Sequence, residues 1–117
     1  MKRLQNPWEG LEGYYCFGCC PTNESGLRME FYEDGEDIVS VWNPRDHFQG
    51  WVNTLHGGIQ AALIDEIAEW VVNRKLQTTG VTANLEVRYK KPVMMTSKPI
   101  TLRAHLQETR RHLAYIE

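Results

Sequence analysis

Residues 55–76 read LHGGIQAALIDEIAEWVVNRKL, and the reading of this stretch decides the fold. From Gly57 to about Leu76, the apolar residues Ile59, Leu63, Ile67, Trp70 and Val71 recur at helical spacing. Arg74 and Lys75 fall in the last turns, where cations suit the helix dipole, and Gly80 follows as the expected terminator. Two features fit a plain helix badly. Gly57 and Gly58 open it, although glycine costs roughly 1 kcal/mol against alanine inside a helix. Asp65 interrupts an otherwise apolar run.

At about 100° of rotation per residue, Ala61, Asp65, Ala68 and Val72 share one stripe. A carboxylate among small apolar groups must pair, accept backbone hydrogen bonds or shift its pKa. Asp65 therefore reads as a satisfied structural acid, an acid at the rim of an interface, or a catalytic one. Glu66, Glu69 and Asn73 form a separate polar face of ordinary solvent contacts.

The first N–H groups of a helix lack partners within it and sit at the positive end of its dipole. Glycines there either make a tight turn or bare the backbone to an anion or a polarised carbonyl. Asp65 lies roughly 10–12 Å further along by helical rise. That is too far to attack a carbonyl held at Gly57 of the same helix, so two subunits around a shared cleft would be needed. His56 reads as a general base, a donor to substrate, or a loop tie. No Ser or Cys sits in a nucleophile elbow.

Outward from the helix the period becomes two. GLRMEFYE and DIVSVWNP flank Asp34-Gly35-Glu36 and predict a hairpin, ended by Asn43-Pro44. VTANLEVRYKKPV (81–93) alternates Val81, Ala83, Leu85, Val87 and Tyr89 with polar neighbours, predicting a strand. PITLRAHLQET predicts another, and HLAYIE begins one more. Residues 1–25 read as an irregular lead-in with one helical turn near Pro7–Leu11. The plan is a single α+β domain over residues 1–117, with an antiparallel sheet largely wrapped around one long central helix.

With 42% hydrophobic and 24% charged residues and a formal charge of -2, the chain has the make-up of a globular domain and no basic excess for nucleic acid or anionic membrane. No apolar run of about 18 residues exists to span a membrane. The N-terminus lacks the apolar stretch of a signal peptide. Cys16, Cys19 and Cys20 are an odd, clustered set, a poor disulfide framework, which favours a reducing compartment such as the cytoplasm. One C-x-x-C could begin a zinc site, with His47 adding a ligand in principle, but a second pair is absent. The cluster reads as a packed loop with no metal, with a zinc or redox module built on Cys16, Cys19 and Cys20 as the alternative.

LHGGIQAALIDEIAEW followed by GVTANLEVRYKKPV resembles the hotdog-fold acyl-CoA thioesterases of the PaaI type. CFGCCPTNESGLRMEF resembles an N-terminal stretch of that family, whose pattern is nearer C-F-G-C-G. The resemblance covers roughly Cys16 to Glu117. It implies an antiparallel sheet around a long helix, and a homodimer with active sites at its interface, often paired again into a tetramer. It also implies hydrolysis of an acyl-CoA to free acid and coenzyme A without metal or organic cofactor. Asp65 matches the catalytic acid, as general base or nucleophile. Gly57 matches the glycine whose N–H polarises the thioester carbonyl, with Gly58 beside it. His56 matches the motif histidine that places the thioester. Thr82 matches a Ser or Thr that bonds the attacking water or the acid. Where some relatives carry Asn or Gln six residues before the motif His, this chain has Gly50, with Gln49 and Asn53 nearby as substitutes. Lys90 and Lys91, with Arg88, Arg110 and Arg111, are candidates for the rim that meets anionic CoA, or ordinary solvated charges. Phe48, Trp51, Val52 and Trp70 are candidate pocket walls or core. Relatives continue with a further strand, so ending at Glu117 predicts an open edge. A non-catalytic acyl-CoA-binding or structural hotdog module is the alternative reading.

Overall fold

A computed structural model describes residues 1–117. Its elements are β1 (Lys2–Arg3), β2 (Tyr32–Asp34), β3 (Asp37–Trp42), α1 (Gly57–Leu76), β4 (Ile100–Arg110) and β5 (Leu113–Ile116). The strands form one antiparallel sheet in the order β1-β2-β3-β4-β5, with α1 inserted between β3 and β4 and packed on β4, β3 and β5. This is the α+β hotdog arrangement expected from the sequence. No helix is long and apolar enough to cross a membrane.

The hairpin turns where Asp34-Gly35-Glu36 predicts. Asp34 pairs with Asp37, and Gly35 supplies a φ of 61°. Its first strand is shorter than expected. Leu27, Met29 and Phe31 keep the alternation of burial, but Leu27 N–H donates to Phe17 O and Met29 N–H to Gly18 O. The backbone there is held by the cysteine loop instead of a strand, and Arg28 takes a φ of 54°. Residues 6–14 run in hydrogen-bonded turns (Glu9 N–H to Asn6 O, Leu11 N–H to Trp8 O) in place of a helical turn.

In α1, Leu63, Ile67, Trp70 and Val71 are buried, the stripe that spacing predicts. Each such side chain contributes about 1.5–3 kcal/mol by leaving water. Trp70 stacks on Phe31 with centroids 4.2 Å apart and meets Trp8 edge-on at 5.6 Å. Across the sheet, Ile38 faces Ala104, Ser40 faces Leu102 and Trp42 faces Ile100. Buried polar groups on this layer are paired: Ser40 Oγ donates to Glu30 O, and Trp42 Nε1 to Leu27 O at 2.7 Å. The rest of the helix surface is at most half-buried within one chain.

Three expectations are corrected. Residues 81–93 form no strand: Val81, Leu85 and Tyr89 are exposed, and the segment has no place in the sheet. Period-two patterning needs an adjacent strand to become a ladder, and β4 already has β3 and β5 on its two sides. The helix ends at Gln77, which takes the left-handed conformation (φ 53°, ψ 42°), and not at Gly80. Gly80 N–H instead reaches Glu69 Oε1 at 3.0 Å, so Glu69 is no mere solvent contact.

Candidate functional site at the helix start and its acid

The helix begins at Gly57 because His56 caps it. His56 is extended (φ -56°, ψ 133°), and its Nδ1 accepts the Gly58 N–H at 2.9 Å. The bond satisfies one of the orphan donors of the first turn. It also fixes the imidazole: with Nδ1 accepting, the neutral ring carries its proton on Nε2. Gly58 is therefore not the bare amide expected. The Gly57 N–H makes no hydrogen bond in the chain and is the donor left at the positive end of α1. Gly57 O accepts from the Tyr89 hydroxyl at 2.8 Å. The Tyr89 ring lies over this glycine, so that a Cβ on Gly57 would be in van der Waals contact with it, 3.6 Å from Cε1. In the sequence Tyr89 is one more apolar position of an alternating segment, and nothing local marks it as a partner of Gly57.

Two turns on, Asp65 is half-buried on its predicted stripe beside Ala61, Ala68 and Val72, all half-buried themselves. Thr82 Oγ1 donates to Asp65 Oδ1 at 2.5 Å. No group of the chain bonds Oδ2. The acid is thus oriented by one short bond and keeps an oxygen for another partner. Segment 81–93, lacking a ladder, is tied to α1 at two points, Thr82 to Asp65 and Tyr89 to Gly57. At its far end Leu55 N–H donates to Val93 O. The structure brings His56, Gly57 and Gly58 together, and separately Asp65 and Thr82. Eight residues of helix keep the two groups roughly 12 Å apart.

The loop before α1 uses its polar residues on itself. Gln49 Oε1 accepts from Asn53 N–H at 3.2 Å, and Asn53 is in the left-handed region (φ 55°). Gly50 explains the missing Asn or Gln: a Cβ there would lie 3.0 Å from His56 Cα. Trp51 and Val52 are exposed, whereas Phe48 and Trp70 are buried in the core. Lys90, Lys91 and Arg88 are exposed and make no ion pair, but Arg110 pairs with Glu108 at 3.1 Å.

Glu66, one position after the acid, is a further polar group of α1. It points away from solvent into the cysteine loop, where Trp70 Nε1 donates to its Oε2 at 3.2 Å and the Cys16 thiol lies 3.7 Å from Oε1. Burial pushes the Cys19 thiol well above its ordinary range, against the pull of its Tyr14 hydrogen bond. A hydrogen bond from Thr22 draws the Cys20 thiol down.

Residues 52–117, more than half the chain, match the family model of the thioesterase superfamily. The chain belongs to this superfamily. A crystal structure of a thioesterase superfamily protein superposes with a TM-score of 0.73 at 23% identity, over 83% of this chain and 50% of that one. The likeness is one of fold, and this thioesterase-superfamily chain spans half the length of that protein. The chain matches no curated protein. Within the matched residues lie α1, Asp65, Thr82 and the Gly57 amide, so the candidate site falls inside the part that defines the family.

Proposed function

We propose that this protein is an acyl-CoA thioesterase of the PaaI type, hydrolysing the thioester to a free acid and coenzyme A. The observation that carries the reading is the state of two groups on one helix. The Gly57 N–H has no partner, and Asp65 is oriented by Thr82 with one carboxylate oxygen unengaged. The free amide at the positive helix end would hold the carbonyl oxygen as it gains charge. The Nε2–H of His56, aimed outward by the Nδ1 cap, would donate to the substrate beside it. Asp65 would take the proton from the attacking water, or attack the carbonyl itself. Water adds its oxygen to the acyl carbon, the C–S bond breaks, and the CoA sulfur leaves with the proton.

The roughly 12 Å between Gly57 and Asp65 supports dividing these roles between two chains. Each site would be completed in a homodimer, with the helix start of one protomer facing the acid of its partner. The exposed segment 81–93 is suited to meet that partner. The unpaired cations Lys90 and Lys91 would meet the phosphates of CoA.

Thiol release from acyl-CoA is the direct test. Asp65→Asn should lower it by about 10²–10⁴-fold with circular dichroism unchanged. Turnover near wild type would refute the assignment. Mixing inactive Asp65→Asn with inactive Gly57→Val tests the sharing. Heterodimers regain one intact site if the two residues act across the interface, and none if both act within one chain.

A further inference from the structure

Apart from the candidate site, one cluster of ligand-type atoms stands out. Cys16 Sγ, Cys19 Sγ and a Glu66 carboxylate oxygen all lie within 4.8 Å of one another. Cys16 is half-buried, Cys19 is buried and Glu66 is half-buried, so the cluster sits under the N-terminal loop where that loop crosses α1. The C-x-x-C alone lacked enough ligands. The third comes from the helix, 46 positions after Cys20, and His47 is not part of the cluster: its ring packs on Phe48 at 4.0 Å.

The separation of Cys16 from Glu66 suits a tetrahedral cation. Bonds of about 2.3 Å to sulfur and 2.1 Å to oxygen, at the tetrahedral angle, place those two ligand atoms about 3.6 Å apart. Cys16 Sγ lies 3.7 Å from Oε1 and 3.8 Å from Oε2 of Glu66. Gly18 makes the approach possible, since a Cβ there would sit 2.2 Å from the Glu66 carboxyl carbon.

The surrounding donors point the same way. Gly18 N–H donates to Cys16 Sγ at 3.3 Å. Trp8 N–H donates to Asn6 Oδ1 at 2.9 Å, which turns the Asn6 Nδ2 toward the Tyr14 oxygen at 2.8 Å. The Tyr14 proton is then free to point at Cys19 Sγ, 2.8 Å away. Trp70 Nε1–H holds Glu66 Oε2. Each of the three ligands thus receives a hydrogen bond from a neighbour, the arrangement that orients metal-bound groups and offsets their charge.

We propose that Cys16, Cys19 and Glu66 bind one zinc-like divalent cation that fastens the N-terminal loop to α1, one residue from Asp65. Binding releases the two thiol protons, and the cation's two charges meet two thiolates and one carboxylate. Three protein ligands leave one position for an exogenous donor. The cation is a structural clamp, and the proposal stands apart from the thioesterase reading.

The test uses the full chain in reducing buffer, stripped with chelator and titrated with Zn²⁺ and, as a spectroscopic probe, Co²⁺. One cation per chain, thiolate-to-cobalt charge-transfer bands and a melting temperature that rises with free Zn²⁺ are expected. Cys16→Ser and Cys19→Ser should abolish the bands. Glu66→Gln retains an acceptor for Trp70, so it should stay folded while losing about 10-fold or more in affinity. His47→Ala should bind as wild type. Absence of the bands, or wild-type affinity in Glu66→Gln, overturns the proposal.

Discussion

Thr82 and Asp65, seventeen residues apart in sequence, are joined by a 2.5 Å hydrogen bond from hydroxyl to carboxylate. The bond crosses from the segment after the helix back to the middle of the helix. It turns an acid on a stripe of small residues into an oriented one. A bond to a charged acceptor is worth about 1.5–3 kcal/mol. If that orientation is needed in the transition state, Thr82→Val should lower kcat by roughly 10–100-fold with little change in KM. Steady-state kinetics check this. Thr82→Ser, which keeps the hydroxyl, should recover most of the rate.

His56 holds the first turn of α1 through Gly58. Removing an N-cap acceptor costs about 0.5–2 kcal/mol. His56→Ala should lower stability in urea by that amount, and His56→Asn should retain most of it. If His56 also serves substrate, the Asn variant should recover stability without recovering activity.

Glu33 on β2 anchors the end of the helix. Arg74 Nη2 lies 3.0 Å from its Oε1 and Lys75 Nζ 2.7 Å from its Oε2. The Arg74 hydrogen bond, then that of Lys75, holds the Glu33 carboxyl down to about 2 from its ordinary 4.5. The folded value is depressed, so the stabilisation is present above about pH 4.5 and is lost as pH falls toward 2. Chemical unfolding of wild type and Glu33→Gln should therefore differ at neutral pH and converge across that window. Added salt should narrow the difference, because the pair is near the surface.

Gln77 ends the helix in a conformation that costs a side-chain-bearing residue about 1–2 kcal/mol. Gln77→Gly removes that cost and adds about 0.5–1 kcal/mol of chain entropy in the unfolded state. A net gain of roughly 0.5–1 kcal/mol is expected, read as a rise in the thermal midpoint.

Gly26 is closed to any side chain. A Cβ there would lie 2.5 Å from the backbone oxygen of Phe17, which cannot swing aside. Gly26→Ala should destabilise by about 1–3 kcal/mol or more in denaturant unfolding.

Much of this was legible in the residues themselves. Helical periodicity marked α1 from Gly57 to about Leu76, and alternation marked β3, β4 and β5, because both signals depend only on which side chains leave water. The stripe that carries Asp65 followed from 100° geometry. Segment 81–93 alternates without forming a strand, because alternation reports two faces and says nothing of whether a neighbouring strand exists. Gly58 looked bare because its partner is a side chain two residues back, and capping depends on a rotamer. Glu66 looked solvated because its helix position was right, but the loop that covers it comes from the other end of the chain.

By itself, the sequence determined the helix, its glycine start, its buried stripe and the acid upon it, all set by local periodicity and backbone chemistry. Only the tertiary structure decided which groups meet. It gave Asp65 the Thr82 hydroxyl, gave Gly58 to His56 while leaving the Gly57 amide free, and brought Glu66 to Cys16 and Cys19. Such pairings rest on the path of the chain between distant residues, and side-chain reach of a few ångströms makes them or leaves them unmade.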